Sequence, residues 1–338
     1  MQYRPLGRTG VQVPSLCLGT MMFGAWGNSD HDDSVRIIHA ALDAGVNFVD
    51  TADVYSAGES EEILGKALKG RRDDVVLATK FFMPMGDDVN RRGPSRRWIM
   101  TAVEDSLRRL QTDHIDLYQV HRPDPAVDYE ETLGALTDLV RQGKVRYIGS
   151  SSFSGSQIVE AQIAARDRNL ERYRTEQPPY SLLTRSIELD VLPTAQRHGM
   201  GILTYSPLGG GWLSGSWSAD SSPTSPARQR LAKRFDMALP ENQAKLEAVQ
   251  ALQQVADDAG LTMIELAIAF VINHPGVTSA IVGPRTMEQL ESQLPAAEVQ
   301  LSAEVLDRID EIVKPGVTIN PADTSYGEQV LAPALRRR

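Results

Sequence analysis

Eight short apolar runs separated by stretches of helical periodicity constrain this chain more than any other feature. They are SLCLG ending at Gly19, then 46–49, 75–79, 115–120, 145–148, 173–177, 201–205 and 277–282. Between them, apolar residues recur at helical spacing. Val35, Ile38, Ala41 and Leu42 do so from about Asp32 and are stopped by Gly45. Ile63, Leu64 and Leu68 follow within 59–68, then Val103, Leu107 and Leu110 within 96–110. Leu133, Leu136 and Val140 lie within 129–141, stopped by Gly143. Further helices are predicted at 155–169, 186–198, 241–259, 262–273, 286–294 and 302–313. Strands alternating with helices through short connections predict a parallel sheet. Eight such units in about 300 residues predict a closed (β/α)8 barrel, a TIM barrel, over an open doubly wound sheet. Residues 2–13 read as a β-hairpin turning at Gly7–Gly10, which would plug the bottom of the barrel. Residues 209–240, rich in Gly, Ser and Pro, read as a long loop after the seventh strand, with a helix near 227–236. No linker separates two periodic halves, so one domain is predicted over 1–338.

Polar groups that end apolar strands carry the chemical signal. The run VNFV stops at Asp50, and Tyr55 follows in the next loop; VVLAT stops at Lys80, and IDLYQV stops at His121. Burying such groups is costly unless they are paired. In a parallel barrel, successive strand ends share one face, where active sites are built. Taken singly, each residue reads as a cap, a packing aromatic, a solvated end or a loop histidine; the set predicts convergence. A free phenol is too weak an acid for efficient proton transfer near neutrality. A lysine ammonium beside Tyr55 would lower its pKa, and Asp50 would hold that lysine charged. A neutral histidine can orient a carbonyl oxygen. The set suits protonation of a carbonyl oxygen while a hydride reaches the carbon. No side chain supplies hydride, so a nicotinamide is implied.

Composition narrows the partners. A net charge of −9 disfavours nucleic acid and anionic membranes. There is no apolar leader and no run approaching 18 apolar residues, which argues against secretion and membrane spanning. The single cysteine, Cys17, allows no intrachain disulfide and suits a reducing cytoplasm. Neither CxxC nor HExxH occurs, so no metal site is predicted.

The motifs LGTMMFG (18–24), FVDTADVYSAGESEEILGKAL (48–68), ATK (78–80), IDLYQVHRPDP (115–125), GKVRYIGSSSF (143–153), EQPPYSLL (176–183), YSPLGGGWLSG (205–215) and IVGPRTMEQLESQL (281–294) resemble the aldo-keto reductase superfamily over nearly the whole chain. The likeness is greatest to bacterial members that resemble the potassium-channel β subunits. It implies a tetrad of Asp50, Tyr55 as proton donor, Lys80 and His121, and a small carbonyl or alcohol substrate. It also implies a dinucleotide extended across the barrel mouth. No GxGxxG follows a strand, so the phosphate site falls to Gly283, Arg285, Thr286 and Gln289. Thr286 and Gln289 have capping-box spacing, and an arginine at a helix start is an anion site. By resemblance Arg285 reads the 2′-phosphate with Gln289 nearby, which favours NADPH over NADH. Gly19, Thr20 and Met21 would line the cofactor beside Asp50. Ser151, with Ser152, and Gln177 would hold the carboxamide, and Tyr205 would stack on the nicotinamide. Ser206, Pro207, Leu208, Gly209 and Gly210 would approach the pyrophosphate. Three residues depart from the family's pattern: Ser152 and Gln293 stand where it usually has Asn, and Ser216 where close relatives often have Lys.

Met21, Met22, Phe23 and Trp26, and Phe81, Phe82 and Met83, follow strand ends on the catalytic face and are expected to wall a substrate site. Arg122 either contacts the carbonyl region or braces its loop. Against the reductase stand a cofactor-binding regulatory or scaffold protein of the channel-subunit type and a nicotinamide-retaining isomerase or epimerase. The residues leave homo-oligomerisation and the substrate open.

Overall fold

The apolar runs become eight parallel strands whose order closes on itself. In chain order they are β3 Leu16–Gly19, β4 Phe48–Asp50, β5 Val76–Phe81, β6 Ile115–Val120, β7 Val145–Ser151, β8 Thr175–Gln177, β9 Gly201–Thr204 and β10 Ser279–Val282. The last strand bonds to both β9 and β3, which closes the barrel. The computed structural model describes residues 1–215 and 231–324. Ser216 and the first part of the helix expected near 227–236 lie outside the described residues. At Ala232–Arg234 the chain forms a single 3-10 turn.

The opening strands β1 Tyr3–Pro5 and β2 Gln12–Pro14 pair antiparallel as the expected hairpin. Leu6 and Val13 of this hairpin are buried in one cluster with Cys17, Phe48, Ala78, Leu117, Leu203 and Ile281. Side chains along a strand alternate between faces, so this cluster is the filled interior of the barrel, plugged by the hairpin. The larger core lies outside it, between strands and helices. The helices are α1 His31–Asp43, α2 Glu59–Ala67, α3 Arg96–Leu110, α4 Tyr129–Arg141, α5 Gly155–Asp167, α6 Val191–His198, α7 Pro240–Asp258, α8 Met263–Asn273, α9 Met287–Gln293 and α10 Ala303–Ile312. Local signals start several of them. Asp30 and Ser95 cap α1 and α3, and complete capping boxes open α5 (Ser154, Gln157) and α8 (Thr262, Glu265). None of the helices among the described residues is long and apolar enough to cross a membrane.

The structure departs from the sequence reading in two places that matter. The segment 186–198 is a 3-10 turn, Ser186–Glu188, followed by α6. The Asp190 carboxylate between them accepts the Gly155 amide at 2.7 Å, and this tertiary bond breaks the helical run. Asp50 and Lys80 also lie inside β4 and β5 rather than beyond them. The two-residue period explains why they still face inward. Phe48, Ala78 and Leu117 fill the interior, and two residues further along their strands stand Asp50, Lys80 and Gln119.

Candidate active site

Lys80 is fully buried, and its ammonium reaches three oxygens. It donates to Asp50 Oδ1, to the Thr51 carbonyl at 2.8 Å and to the Tyr55 hydroxyl at 3.4 Å. Burial alone would push the ammonium toward losing its proton. The Asp50 charge and the hydrogen bonds to Asp50 and Tyr55 outweigh this, so its pKa lies above the usual lysine value. The other Asp50 oxygen accepts from Gln119 Nε2 at 3.1 Å and from Gln177 Nε2 at 2.9 Å. Tyr55 opens a 3-10 turn over Tyr55–Gly58, and two non-glycine residues within it, Ser56 and Ala57, are in the left-handed region. Ser56 Oγ donates to the Phe23 carbonyl and accepts the Trp26 amide, which holds this turn against the first βα loop.

The His121 ring meets the Tyr55 ring edge-on, with centroids 6.0 Å apart. Burial pushes its pKa well below the ordinary histidine value, and the nearby Lys80 and Arg122 charges push the same way. The imidazole is therefore neutral at physiological pH. The expected lowering of the Tyr55 pKa is reversed in sign. Lys80 does pull it down, but burial outweighs that pull and leaves the phenol above its usual value. Tyr55 thus keeps its proton across the neutral range.

These groups stand at one end of a cleft of about 450 Å³. Gly19, Met21, Met22, Asp50, Tyr55, His121, Arg122, Ser151, Gln177 and Tyr205 line that end. It continues past Ser206, Pro207, Leu208, Gly210 and Gly211 to Gly283, Arg285, Gln289 and Gln293. Over residues 15–314 the sequence matches the model of the aldo/keto reductase family. The chain belongs to the aldo/keto reductase family.

Relatives of this aldo/keto reductase match it over nearly their whole length. It is 42% identical to an uncharacterized oxidoreductase, YrpG, of Bacillus subtilis over 323 residues, 92% of this chain and 96% of the relative. It is 36% identical to the aldo-keto reductase YhdN of the same organism, over 99% of both chains. It is also 35% identical to a probable voltage-gated potassium channel subunit beta of Arabidopsis thaliana, over 93% of this chain and 97% of that one.

Several residues expected to line the site lie elsewhere. Thr20 is buried with its hydroxyl 2.8 Å from Ser60 Oγ, away from the cleft lining. Gly209 is the buried first residue of the Gly209–Gly211 turn and does not line the cleft, whereas Gly210 and Gly211 do. Phe23 and Phe81 are core residues, the Phe81 ring tilted against Tyr118 with centroids 4.8 Å apart. Phe82 packs partly against the same core and does not line the cleft. Each strand-end aromatic run thus sends at least one ring into the outer core. Trp26 is tilted against Tyr55 at 6.0 Å. Ser152 is buried beneath the lining and accepts a hydrogen bond from Arg122 Nη1 at 2.9 Å, while Arg122 also donates to the His121 carbonyl. Arg122 therefore both braces its loop and borders the cleft.

The capping box at Thr286 is only half formed. Thr286 caps Gln289, but the Gln289 side chain accepts the Arg285 amide at 2.8 Å, tying down the arginine's backbone. Two groups escaped the sequence reading. Gln119, a third partner of Asp50, showed itself as a polar residue two positions before His121 in an apolar strand. Leu231, Arg234 and Phe235, which line the cleft, carried no motif at all.

Proposed function

We propose that this chain is an NADPH-dependent reductase of small aldehydes or ketones, working in the cytoplasm, with Tyr55 as proton donor. One arrangement carries the reading. The Tyr55 hydroxyl is in reach of the Lys80 ammonium and beside a neutral His121, at one end of a cleft that runs on to Arg285. The residues present suit a dinucleotide there. Two cleft-lining side chains hold buried polar atoms without hydrogen-bond partners among the described residues, His121 Nδ1 and Gln293 Oε1. Buried polar atoms of this kind are satisfied by a ligand or water.

A bound nicotinamide would supply the hydride. Tyr55 gives its proton to the carbonyl oxygen, and Lys80 stabilises the phenolate left behind. Asp50, held by Gln119 and Gln177, keeps Lys80 charged and in place. His121 donates a hydrogen bond that orients the carbonyl. Ser151 and Gln177 would hold the carboxamide, and Tyr205 would stack on the ring. Arg285 would pair the 2′-phosphate, its fork matched to that group.

The test is Tyr55→Phe, which keeps the ring and removes the hydroxyl. NADPH affinity, by fluorescence titration, is expected to stay within about twofold. Carbonyl turnover should fall by roughly 10²–10⁴, the usual span for a lost acid–base group. Near wild-type turnover would defeat the assignment. The channel-subunit relative supports a second reading, a cofactor-binding regulatory protein. A wild-type chain that binds NADPH yet reduces nothing in a broad carbonyl panel would favour it.

A further inference from the structure

The outer wall of the cleft is held by a buried polar cluster that the catalytic residues do not use. Three segments far apart in sequence meet there: the return limb of the loop after β9 (231–235), α7, and residues 318–324. The Asp323 carboxylate is shared by two cations. Arg234 Nε donates to one oxygen at 2.6 Å, and Lys245 Nζ lies 2.8 Å from the other. Lys245 also donates to the Arg234 carbonyl and sits 4.3 Å over the Trp212 ring. Trp212 Nε1 donates to that same carbonyl. Asn320 bonds both the Lys233 carbonyl and Asn242, and Asn242 bonds the Lys233 carbonyl as well. Lys245 and Asn242 are wholly buried, and Asp323 and Asn320 nearly so.

This cluster leaves Arg234 aimed at the cleft. Its Nε is committed to Asp323, but a guanidinium has four further donors on its two terminal nitrogens. Nη2 lies 3.9 Å from where a Cβ on Gly210 would stand, above the Gly209–Gly211 turn, and all three of these glycines are in the left-handed region. Gly210, Arg234 and Phe235 all line the cleft. Two cations share one carboxylate, so the cluster carries net positive charge beside the turn. Positive charge in a partly desolvated place is costly unless an anion completes it. In the barrel β9 neighbours β10, so this turn lies next to the loop that carries Arg285. A ligand extended from Tyr205 to Arg285 must cross it.

We propose that Arg234 binds the pyrophosphate of the dinucleotide and that Asp323, braced by Lys245, is the residue that positions it. Residues 318–324 thereby set how tightly and how long the cofactor is held. The inference rests on the dinucleotide reading above. It also supplies the cation that the motif lacks at Ser216.

The test compares two probes on the full chain: NADPH, and adenosine 2′-monophosphate, which carries the 2′-phosphate but no pyrophosphate. Arg234→Ala and Asp323→Asn should each weaken NADPH about tenfold or more, mostly through faster release in stopped-flow fluorescence. Adenosine 2′-monophosphate should stay within about twofold in both, while Arg285→Ala weakens both probes. The Arg234→Ala, Asp323→Asn double variant should be no worse than the poorer single one, because the two act along one path. Unchanged NADPH release, equal weakening of both probes or additive losses would overturn the proposal. If Asp323→Asn does not fold, Arg234→Gln carries the same comparison: it can still donate to Asp323 but has no charge, and an unchanged NADPH constant overturns the assignment. A wild-type chain that binds neither NADPH nor NADH is a different outcome, and it removes the dinucleotide reading itself.

Discussion

Lys80 divides its donors among Asp50, Thr51 and Tyr55, so its removal tests one charge rather than one contact. Lys80→Met takes away the largest pull that lowers the Tyr55 phenol, leaving the weaker one from Arg122, and desolvation still raises it. The limb of the pH–rate profile that reports the phenol should move to higher pH, and kcat at neutrality should fall by roughly a hundredfold or more. An unmoved limb would separate Lys80 from the proton donor. Ser152 offers a stability test at the same scale. It is buried with φ +61, in the left-handed region that Asn tolerates better than Ser. Ser152→Asn, the residue the motif usually carries, should raise stability by up to about 1 kcal/mol, read by denaturant unfolding; a loss would mean that the added volume outweighs the relief of strain. The single residues show what was legible. Asp50, Lys80 and His121 stand out because each is polar inside or at the end of an apolar run. Gln119 has the same signature, but its meaning depends on facing Asp50 across three strands, which no local pattern records. The sign of the Tyr55 shift was not legible either, because it depends on how far the folded cleft removes the phenol from water.

At the scale of elements, β8 holds a group whose effect runs with pH. Thr175 and Gln177 alternate with Glu176, whose carboxyl is fully buried. It accepts from Ser150 Oγ at 2.5 Å and from the Phe153 amide at 2.9 Å. Burial outweighs these bonds and raises its pKa to about 8. Between the ordinary glutamate range and about pH 8 the folded chain keeps this proton while the unfolded chain loses it. Its contribution to stability is therefore full at low pH, falls as pH rises through that window and is level above it. The slope is at most about 1.4 kcal/mol per pH unit. Glu176→Gln should flatten that part of the curve of unfolding midpoint against pH; an unaltered curve would place the proton elsewhere. Element boundaries were read well where caps are local, as at Ser154 and Thr262. They were read less well where a long-range bond intervenes, as at Asp190.

The whole molecule was legible because its repeat is: strand period and helix period alternate eight times, and only a closed sheet satisfies every strand. Contacts between distant segments were not legible. Asp323 and Arg234 share no motif, and their pairing exists only once α7 brings them together. The same geometry makes the final prediction a property of the whole fold. The cleft draws on residues near 19–22, 205–211, 231–235 and 283–293, which come together only when the barrel is closed. A dinucleotide should therefore bind the folded chain alone and stabilise it by mass action, by about 2.7 kcal/mol at a hundred times its dissociation constant. A charge-assisted contact from Arg285 to the 2′-phosphate is worth about 1.5–3 kcal/mol. NADH offers only a hydroxyl there. At equal concentration, NADPH should raise the unfolding midpoint by several degrees more than NADH, since about 1 kcal/mol moves a chain of this size by roughly 2–4 °C or somewhat less. Arg285→Ala should remove most of the difference while leaving the smaller NADH shift in place. Calorimetric scans of both proteins with each cofactor make the measurement. Equal shifts in the wild type, or an unchanged gap in the variant, would show that Arg285 does not read the 2′-phosphate.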